Sequence, residues 1–251
     1  MITKIITRVA YIITSQKNAS LGEHLQLQKH AQLLRDRCND CYTLEQVVDQ
    51  VFSCTSFQTV QKRNEILAFL KILIEMQPRL LCEIGTAGGG TLSLLCDAAA
   101  PDARVLSIDI NYTPAQLAAY PYLARSGQQI TCLAADSHTN ETCATVKEWL
   151  AGQQLDFLFI DGDHSLFGVS TDFALYAPHV RNGGIIALHD IVPDFRTRYG
   201  IVTDPYVGQV PMFWASLKER YPDTSELIED SNQDGFGIGI LKWQADDGQP
   251  L

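Results

Sequence analysis

The chain has 251 residues, enough for one large α/β domain with an appendage, so it needs no disulfides in place of a core. Its 29 Asp and Glu residues outnumber 19 Lys and Arg residues, the formal charge is −10, and 46% of the residues are hydrophobic. An acidic globular surface repels polyphosphates, which argues against a nucleic-acid partner and favours a small molecule.

The cysteines and the apolar runs predict the compartment. An odd count of seven cysteines, several inside apolar runs, indicates reduced thiols in a cytoplasmic protein. Cys38 and Cys41 form a lone CxxC pair without the further ligands of a structural zinc site. No apolar run is long enough to span a bilayer, so we expect a soluble protein without a membrane span.

The sequence up to Pro78 predicts an N-terminal helical segment. Apolar residues at helical spacing over residues 2–13 predict an amphipathic helix and not a signal peptide. Its apolar stripe needs a partner, which is the main domain, the same helix of a second subunit or, least favoured, a membrane surface. We expect a homodimer, with the N-terminal helices as a candidate interface. Three further helices are predicted: Leu21–Arg37, Thr43–Phe52 and Thr59–Met76.

After Pro78 the pattern changes to alternating strands and helices, which predicts β-α units with a parallel sheet. The predicted strands are Leu80–Ile84, Arg104–Ile110, Gln129–Ala134, Leu155–Ile160 and Gly184–His189, and helices are expected to begin near Thr91, Thr113, His138 and Ser165. Residues 191–209 have no clear period, and we interpret them as a long loop and a candidate lid.

The C-terminal part predicts a helix over residues 210–220 and two last strands, Glu226–Glu229 and Phe236–Trp243, paired as a hairpin. The predicted fold class is therefore α/β: a doubly wound, Rossmann-like, mostly parallel seven-stranded sheet with a C-terminal antiparallel hairpin and an N-terminal helical extension. In such sheets the ligand lies at the carboxyl ends of the strands.

A glycine-rich loop follows the first strand. Residues 85–90 contain four glycines, which allow a tight turn and close approach to a ligand at the N-terminus of the next helix. Gly90 is followed by Thr91 and not by Lys, which argues against a triphosphate-binding loop. The dinucleotide fingerprint is met only with a substitution at Ala87.

Acidic residues recur at the ends of successive predicted strands. They are Glu83, Asp109, Asp136 and Asp161. A carboxylate after the second strand can accept both ribose hydroxyls, while Glu83 and Asp161 favour a ligand with positive charge and repel a pyrophosphate. S-adenosylmethionine combines a ribose with an ammonium and a sulfonium, so these residues favour it as the ligand.

These motifs resemble the class I S-adenosylmethionine-dependent methyltransferases, and most closely the bacterial O-methyltransferases of the macrocin and cephalosporin-biosynthesis type. The resemblance covers residues 57 to 243, and we divide the chain into a helical extension, residues 1–56, and a methyltransferase domain, residues 57–251. It rests on the loop at residues 83–89 and, more specifically, on residues 159–165 and 182–190. It implies cofactor contacts from Glu83, Gly85, Thr86, Ala87, Gly89, Asp109, Asp136, Ser137 and Asp161.

The resemblance also implies a divalent metal, bound by the Asp after the fourth strand and two consecutive residues after the fifth: Asp161, His189 and Asp190. If these strands are neighbours, Asp161 and Asp190 are close enough to share one cation, and carboxylate oxygens suit Mg²⁺. His189 stands where an acidic or amide-bearing residue is expected in relatives. An imidazole also suits Mn²⁺, Fe²⁺ or Zn²⁺, which leaves open both the metal's identity and whether any metal binds tightly.

His164 is the expected general base, because related metal-dependent enzymes place a basic residue three positions after the metal-binding Asp. The expected reaction is metal-assisted methylation of a hydroxyl on a sugar or other natural product, with Asp161 and His164 as catalytic residues. One rival is a catalytically silent, dimerising protein that keeps the cofactor fold. Others are an NAD-dependent oxidoreductase and a methyltransferase acting on nitrogen or carbon.

Overall fold

The computed structural model describes residues 21–245. The amphipathic helix predicted at residues 2–13 lies outside these residues. The described helices are α1 (Leu21–Asn39), α2 (Leu44–Phe52), α3 (Arg63–Met76), α4 (Gly90–Ala98), α5 (Pro114–Ala119), α6 (Asn140–Leu150), α7 (Leu166–Tyr176), α8 (Phe195–Tyr199) and α9 (Val210–Arg220). The strands are β1 (Leu80–Ile84), β2 (Arg104–Asp109), β3 (Gln129–Ala134), β4 (Leu155–Ile160), β5 (Val180–His189), β6 (Thr224–Leu227) and β7 (Ile238–Lys242).

The seven strands form one sheet in the order β3-β2-β1-β4-β5-β7-β6. Strands β1 to β5 are parallel, while β7 runs antiparallel to both β5 and β6. The predicted fold class is therefore confirmed, including the C-terminal hairpin. The strand order reverses between β1 and β4, and in doubly wound sheets ligands bind at this switch point.

Strand residues alternate between two apolar layers, as the period of two requires. In β4, Phe157 and Phe159 pack with helices α1 to α4, whereas Leu158 and Ile160 pack on the opposite face with α6, α7 and α9. The helices at residues 21–52 thus share a core with the sheet, and a domain boundary at residue 56 stays a prediction. A buried ion pair between Arg35 and Asp97, 2.5 Å apart, connects α1 to α4.

The structure differs from the predicted elements at two boundaries and in one loop. Helix α3 begins at Arg63 and not at Thr59, because residues 58–61 turn toward the glycine loop, where Gly90 N donates to Gln58 O at 3.1 Å. Strand β5 begins at Val180 and not at Gly184, with a register shift against β4 that the adjacent glycines obscure in the sequence. The predicted loop at residues 191–209 contains the short helix α8, capped by Asp194.

The C-terminal hairpin also differs slightly in its bounds. Its first strand ends at Leu227 and its second begins at Ile238, not at Phe236. Phe236 and Gly237 both have positive φ angles, 61° and 85°, which are incompatible with an extended strand.

Candidate functional site

The glycine loop between β1 and α4 lies where the sequence predicts the cofactor. Gly85 has a φ of +85°, and a Cβ there would lie 2.0 Å from the carbonyl oxygen of Asp161, so only glycine fits. Ala87, which replaces a family glycine, also takes a left-handed φ, 44°. A Cβ on Gly89 would lie 2.7 Å from the Tyr120 ring. The loop is therefore closely packed between β4 and the segment after α5.

Asp109, the last residue of β2, holds this loop in place. Its Oδ2 accepts hydrogen bonds from the backbone N–H groups of Thr86, at 3.0 Å, and Ala87, at 2.8 Å. Its Oδ1 accepts another from Asn111 N at 2.7 Å. The carboxylate predicted to bind a ribose thus also fixes the loop beside it.

Glu83 lies behind the loop and is only 1% exposed. Its carboxylate accepts a hydrogen bond from the Thr86 hydroxyl at 2.8 Å and a longer one from Ser107 at 3.4 Å. Burial raises the pKa of Glu83 to about 8, the Thr86 hydrogen bond opposes the rise, and the charges of Asp161 and Asp109 add to it. The side chain therefore supports the loop from inside the fold.

A cavity of about 470 Å³ opens at the carboxyl ends of β1 to β4. Six residues predicted to bind the cofactor line it: Gly85, Ala87, Asp109, Asp136, Ser137 and Asp161. Thr86, Gly89 and Glu83 are not among its lining residues, although Thr86 and Gly89 belong to the loop that forms one wall. The structure thus brings most of the predicted cofactor residues to one cavity.

His138 also lines this cavity, although the sequence gives no sign of it. Its Nε2 lies 3.2 Å from Oδ1 of the fully buried Asp172, and its Nδ1 lies 3.5 Å from Asp136 Oδ1. The imidazole therefore sits between two carboxylates at the β3 end of the cavity.

Asp161, His164, His189 and Asp190 form a second cluster beside the cavity. His164 Nε2 lies 3.6 Å from Asp161 Oδ1, and His164 Nδ1 lies 3.6 Å from Asp190 Oδ2. His189, only 3% exposed, places its Nδ1 3.2 Å from Asp161 and 3.5 Å from Asp190. Each of the two imidazoles thus faces both carboxylates.

The mutual charges shift the pKa values of the cluster. Burial alone would lower the pKa of His164, but the Asp161 and Asp190 carboxylates outweigh it and raise that pKa to about 9. Burial would raise the pKa of Asp161, but the two histidines hold it below its ordinary value. The pKa of Asp190 is raised, by burial first and by the Asp161 charge as well.

Gln61, which the sequence did not implicate, and the candidate lid at residues 191–209 complete the cluster. Gln61 Nε2 donates to Asp161 Oδ2 at 3.2 Å, across 100 positions of sequence. His164 Nδ1 lies 2.8 Å from the Tyr206 carbonyl oxygen, and the Tyr206 ring stacks on the imidazole with centroids 6.4 Å apart. Gln209 N donates to the His164 carbonyl at 2.7 Å. The predicted lid therefore packs directly on His164.

The donor set can accept a metal ion. Asp161, His164 and Asp190 each offer one ligand atom, and these atoms lie within 4.8 Å of one another. His189, predicted as a ligand, is outside this grouping, with its Nδ1 directed at the same carboxylates. No helix within residues 21–245 is long and apolar enough to cross a membrane.

Comparisons with known proteins bear on the domain and on the fold. Residues 82–191 match the family model described as a methyltransferase domain. No curated protein sequence matches the chain.

Solved structures share the fold. An O-methyltransferase from Bacillus cereus in complex with SAH is 17% identical, with a TM-score of 0.53, covering 88% of this chain and all (100%) of that one. The O-methyltransferase TomG from Streptomyces achromogenes, involved in tomaymycin synthesis and solved with SAM, is 16% identical, with a TM-score of 0.52, covering 93% of this chain and 95% of that one.

A third structure is the MycE methyltransferase from the mycinamycin biosynthetic pathway, in complex with Mg and SAH. It is 18% identical, with a TM-score of 0.52, covering 79% of this chain and 54% of that one. At such identities the likeness establishes the shared fold. Together with the domain match, it shows that residues 82–191 are similar to a methyltransferase domain and that the fold resembles that of S-adenosylmethionine-dependent O-methyltransferases.

Proposed function

We propose that the chain transfers a methyl group from S-adenosylmethionine to a hydroxyl group of a small molecule, such as a sugar or another natural product. One observation carries the proposal: Asp161 both lines the cavity at the strand ends and belongs to the cluster with His164 and Asp190. A cofactor in the cavity and an acceptor at the cluster would therefore meet at this residue.

The proposed cofactor site follows from the cavity walls. Asp109, Asp136 and Ser137 would contact the adenosine, and residues 85–89 the methionine end, with Glu83 acting through the loop. The carboxylates favour a cationic ligand and disfavour the pyrophosphate of a dinucleotide. Because of this charge pattern, we favour a methyltransferase over a nicotinamide-dependent oxidoreductase.

His164 is the proposed general base. A proton on Nδ1 would be donated to the Tyr206 carbonyl, which leaves Nε2 free to accept the proton of the acceptor hydroxyl as its oxygen attacks the methyl group. The sulfonium supplies an intrinsically reactive methyl group, so orientation provides most of the rate. A nearby positive charge would favour the neutral imidazole that this role requires, since two carboxylates otherwise raise its pKa.

The proposal also includes a divalent metal ion. Asp161 and Asp190 belong both to the set predicted from the sequence, with His189, and to the grouping in the structure, with His164. Two carboxylates suit Mg²⁺, which would supply charge that holds an acceptor oxygen and lowers the pKa of its hydroxyl. The predicted homodimer and cytoplasmic location stay predictions.

The test measures transfer of labelled methyl from S-adenosylmethionine to a panel of hydroxylated sugars, polyketides and catechols, with and without Mg²⁺. His164→Ala should lose transfer but keep SAH binding in calorimetry, and Asp161→Ala should also lose transfer. His179→Ala is the matched control. His179 lies immediately before β5, at the amino end of that strand, whereas the site lies at the carboxyl ends of the strands.

The outcomes separate the alternatives. Full activity in either site variant would refute the catalytic assignment. Activity that survives exhaustive chelation would remove the metal alone. A wild-type protein that binds SAH but methylates no member of the panel would favour the catalytically silent alternative, and one that binds NAD but not SAH would favour the oxidoreductase.

A further inference from the structure

Arg196 in α8 and His164 of the cluster both lie near the Tyr206 ring. The guanidinium carbon of Arg196 lies over this ring, 5.7 Å from the centroid. The Tyr206 ring in turn lies nearly parallel to the His164 imidazole, with 20° between the planes. The Tyr206 ring therefore connects Arg196 to the proposed base.

The guanidinium of Arg196 is exposed and forms no hydrogen bond or salt bridge with another residue in the described range 21–245. Its backbone carbonyl accepts from Gly200 N at the end of α8, and its charge contributes to the lowered pKa of Asp194. The Asp194 carboxylate itself caps α8 at Thr197 N and accepts from Val207 N. Arg198, by contrast, donates to the Pro193 and Gln233 carbonyl oxygens. The N–H groups of the Arg196 guanidinium are thus available to a ligand.

The charges around the site indicate a binding role for Arg196. The positive charge of His164 and His189, whose pKa values are raised, is compensated by Asp161 and Asp190, and Asp163 adds a further carboxylate, so an anionic acceptor would need another cation to receive its charge. A guanidinium stacked on an aromatic ring can still bind a carboxylate through two parallel N–H groups. A neutral acceptor would gain no comparable interaction.

The loop also offers apolar surface beside the arginine. Tyr206 is 59% exposed, and Tyr199, Ile201 and Val202 are exposed as well. Large apolar side chains at a loop surface commonly mark a binding face. An aromatic or apolar body of the acceptor could pack there while its charged group reaches Arg196.

We propose that the acceptor carries a carboxylate in addition to the hydroxyl that is methylated, and that Arg196 binds this carboxylate and thereby determines specificity. The inference rests on the proposed function, since it concerns the acceptor of that same site. It places the carboxylate beside the Tyr206 ring, at the Arg196 guanidinium.

The experiment measures binding of two matched pairs of probes to the protein saturated with SAH. The pairs are 3,4-dihydroxybenzoate with its methyl ester, and D-glucuronate with its methyl ester. Wild type is compared with Arg196→Gln, Arg196→Lys and Arg37→Gln. Arg37 is the control because its side chain also has no hydrogen bond or salt bridge among the described residues and it lies two positions from Arg35, whose partner Asp97 lies in the last turn of α4, at the opposite end of that helix from the glycine loop.

The inference predicts that at least one acid binds tenfold or more tightly than its ester in wild type and in Arg37→Gln. Arg196→Gln should abolish this preference, and Arg196→Lys should keep part of it. Equal binding of acid and ester, a preference that survives Arg196→Gln, or no binding of either acid at millimolar concentration would overturn it. SAH binding in the same samples separates the two failures, because its absence would contradict the proposed function itself.

Discussion

The folded protein should lose stability as the pH rises, because Glu83 is buried, and replacing Glu83 by Gln should remove this loss. Glu83 is buried behind the glycine loop, and its pKa is raised from an ordinary value of 4.5 to about 8. The neutral carboxyl is therefore the form that the folded protein favours. Gln has nearly the same shape, stays neutral at every pH, and still offers an oxygen to the Thr86 hydroxyl.

The sign and size follow from linkage. A raised pKa means that the contribution of Glu83 to stability is complete below pH 4.5 and is lost as the pH rises through 8. One pKa unit corresponds to about 1.36 kcal/mol, so the full shift is worth about 5 kcal/mol at most. Relaxation and water entry would reduce this figure, and a difference of several kcal/mol remains the expectation.

The assay is urea unfolding of wild type, Glu83→Gln and the exposed control Glu75→Gln at intervals from pH 5 to pH 9. Near pH 5 wild type and Glu83→Gln should have similar free energies of unfolding. By pH 9 the Gln variant should be the more stable by several kcal/mol, while Glu75→Gln should follow wild type. Parallel curves for wild type and Glu83→Gln would refute the reasoning, because Glu83 would then already be ionised inside the fold.

Two further substitutions test the lid and the N-terminal helices. Gly208 has a φ of +55°, and a Cβ there would lie 2.3 Å from the carbonyl oxygen of the proposed base, so Gly208→Ala should lower kcat at least about tenfold while SAH binding is kept. Gly152→Ala, with a φ of +82° and nothing within 4 Å, controls for backbone strain, and equal kcat values in the two variants would contradict the prediction. Arg35→Ala leaves Asp97 buried without its partner and should cost about 3 to 5 kcal/mol in urea unfolding. Arg63→Ala, which breaks a fully solvent-exposed pair, should cost far less, and a similar cost for both would show that the first pair is not buried in solution.

The sheet was predictable because its strands are short apolar runs bounded by turn signals. Strands β1, β3 and β4 have the predicted bounds. The boundary at Thr59 was not predictable, because apolar spacing continues through a segment whose conformation is fixed by distant contacts. Thr59 itself hydrogen-bonds through its hydroxyl to Thr91, at 2.9 Å, beyond the whole of β1.

The same limit applies to the site. The proximity of Asp161 and Asp190 could be predicted from the sequence, because the carboxyl ends of neighbouring parallel strands lie side by side. Nothing in the sequence links His164 to Tyr206, 42 positions later, since the contact uses a backbone carbonyl that any residue could provide. Arg196 in turn becomes notable only after its ring partner is known to touch the imidazole.

The position of each acidic residue relative to the end of its strand explains which of the carboxylates predicted to bind the cofactor line the cavity. Asp109 is the last residue of β2, and Asp136 and Asp161 follow the ends of their strands; all three line the cavity. Glu83 comes one residue before the end of β1, and the alternation of side chains puts it on the face of Leu81, in the layer packed by α1 to α4. In this sheet a strand-end carboxylate lines the cavity when it lies at or beyond the final strand residue, whereas Glu83, inside its strand, is enclosed and becomes hard to ionise. The observed strand bounds thus separate Glu83, which supports the loop, from Asp109, the proposed cofactor contact; the predicted bounds, which extend β2 to Ile110, do not make this distinction.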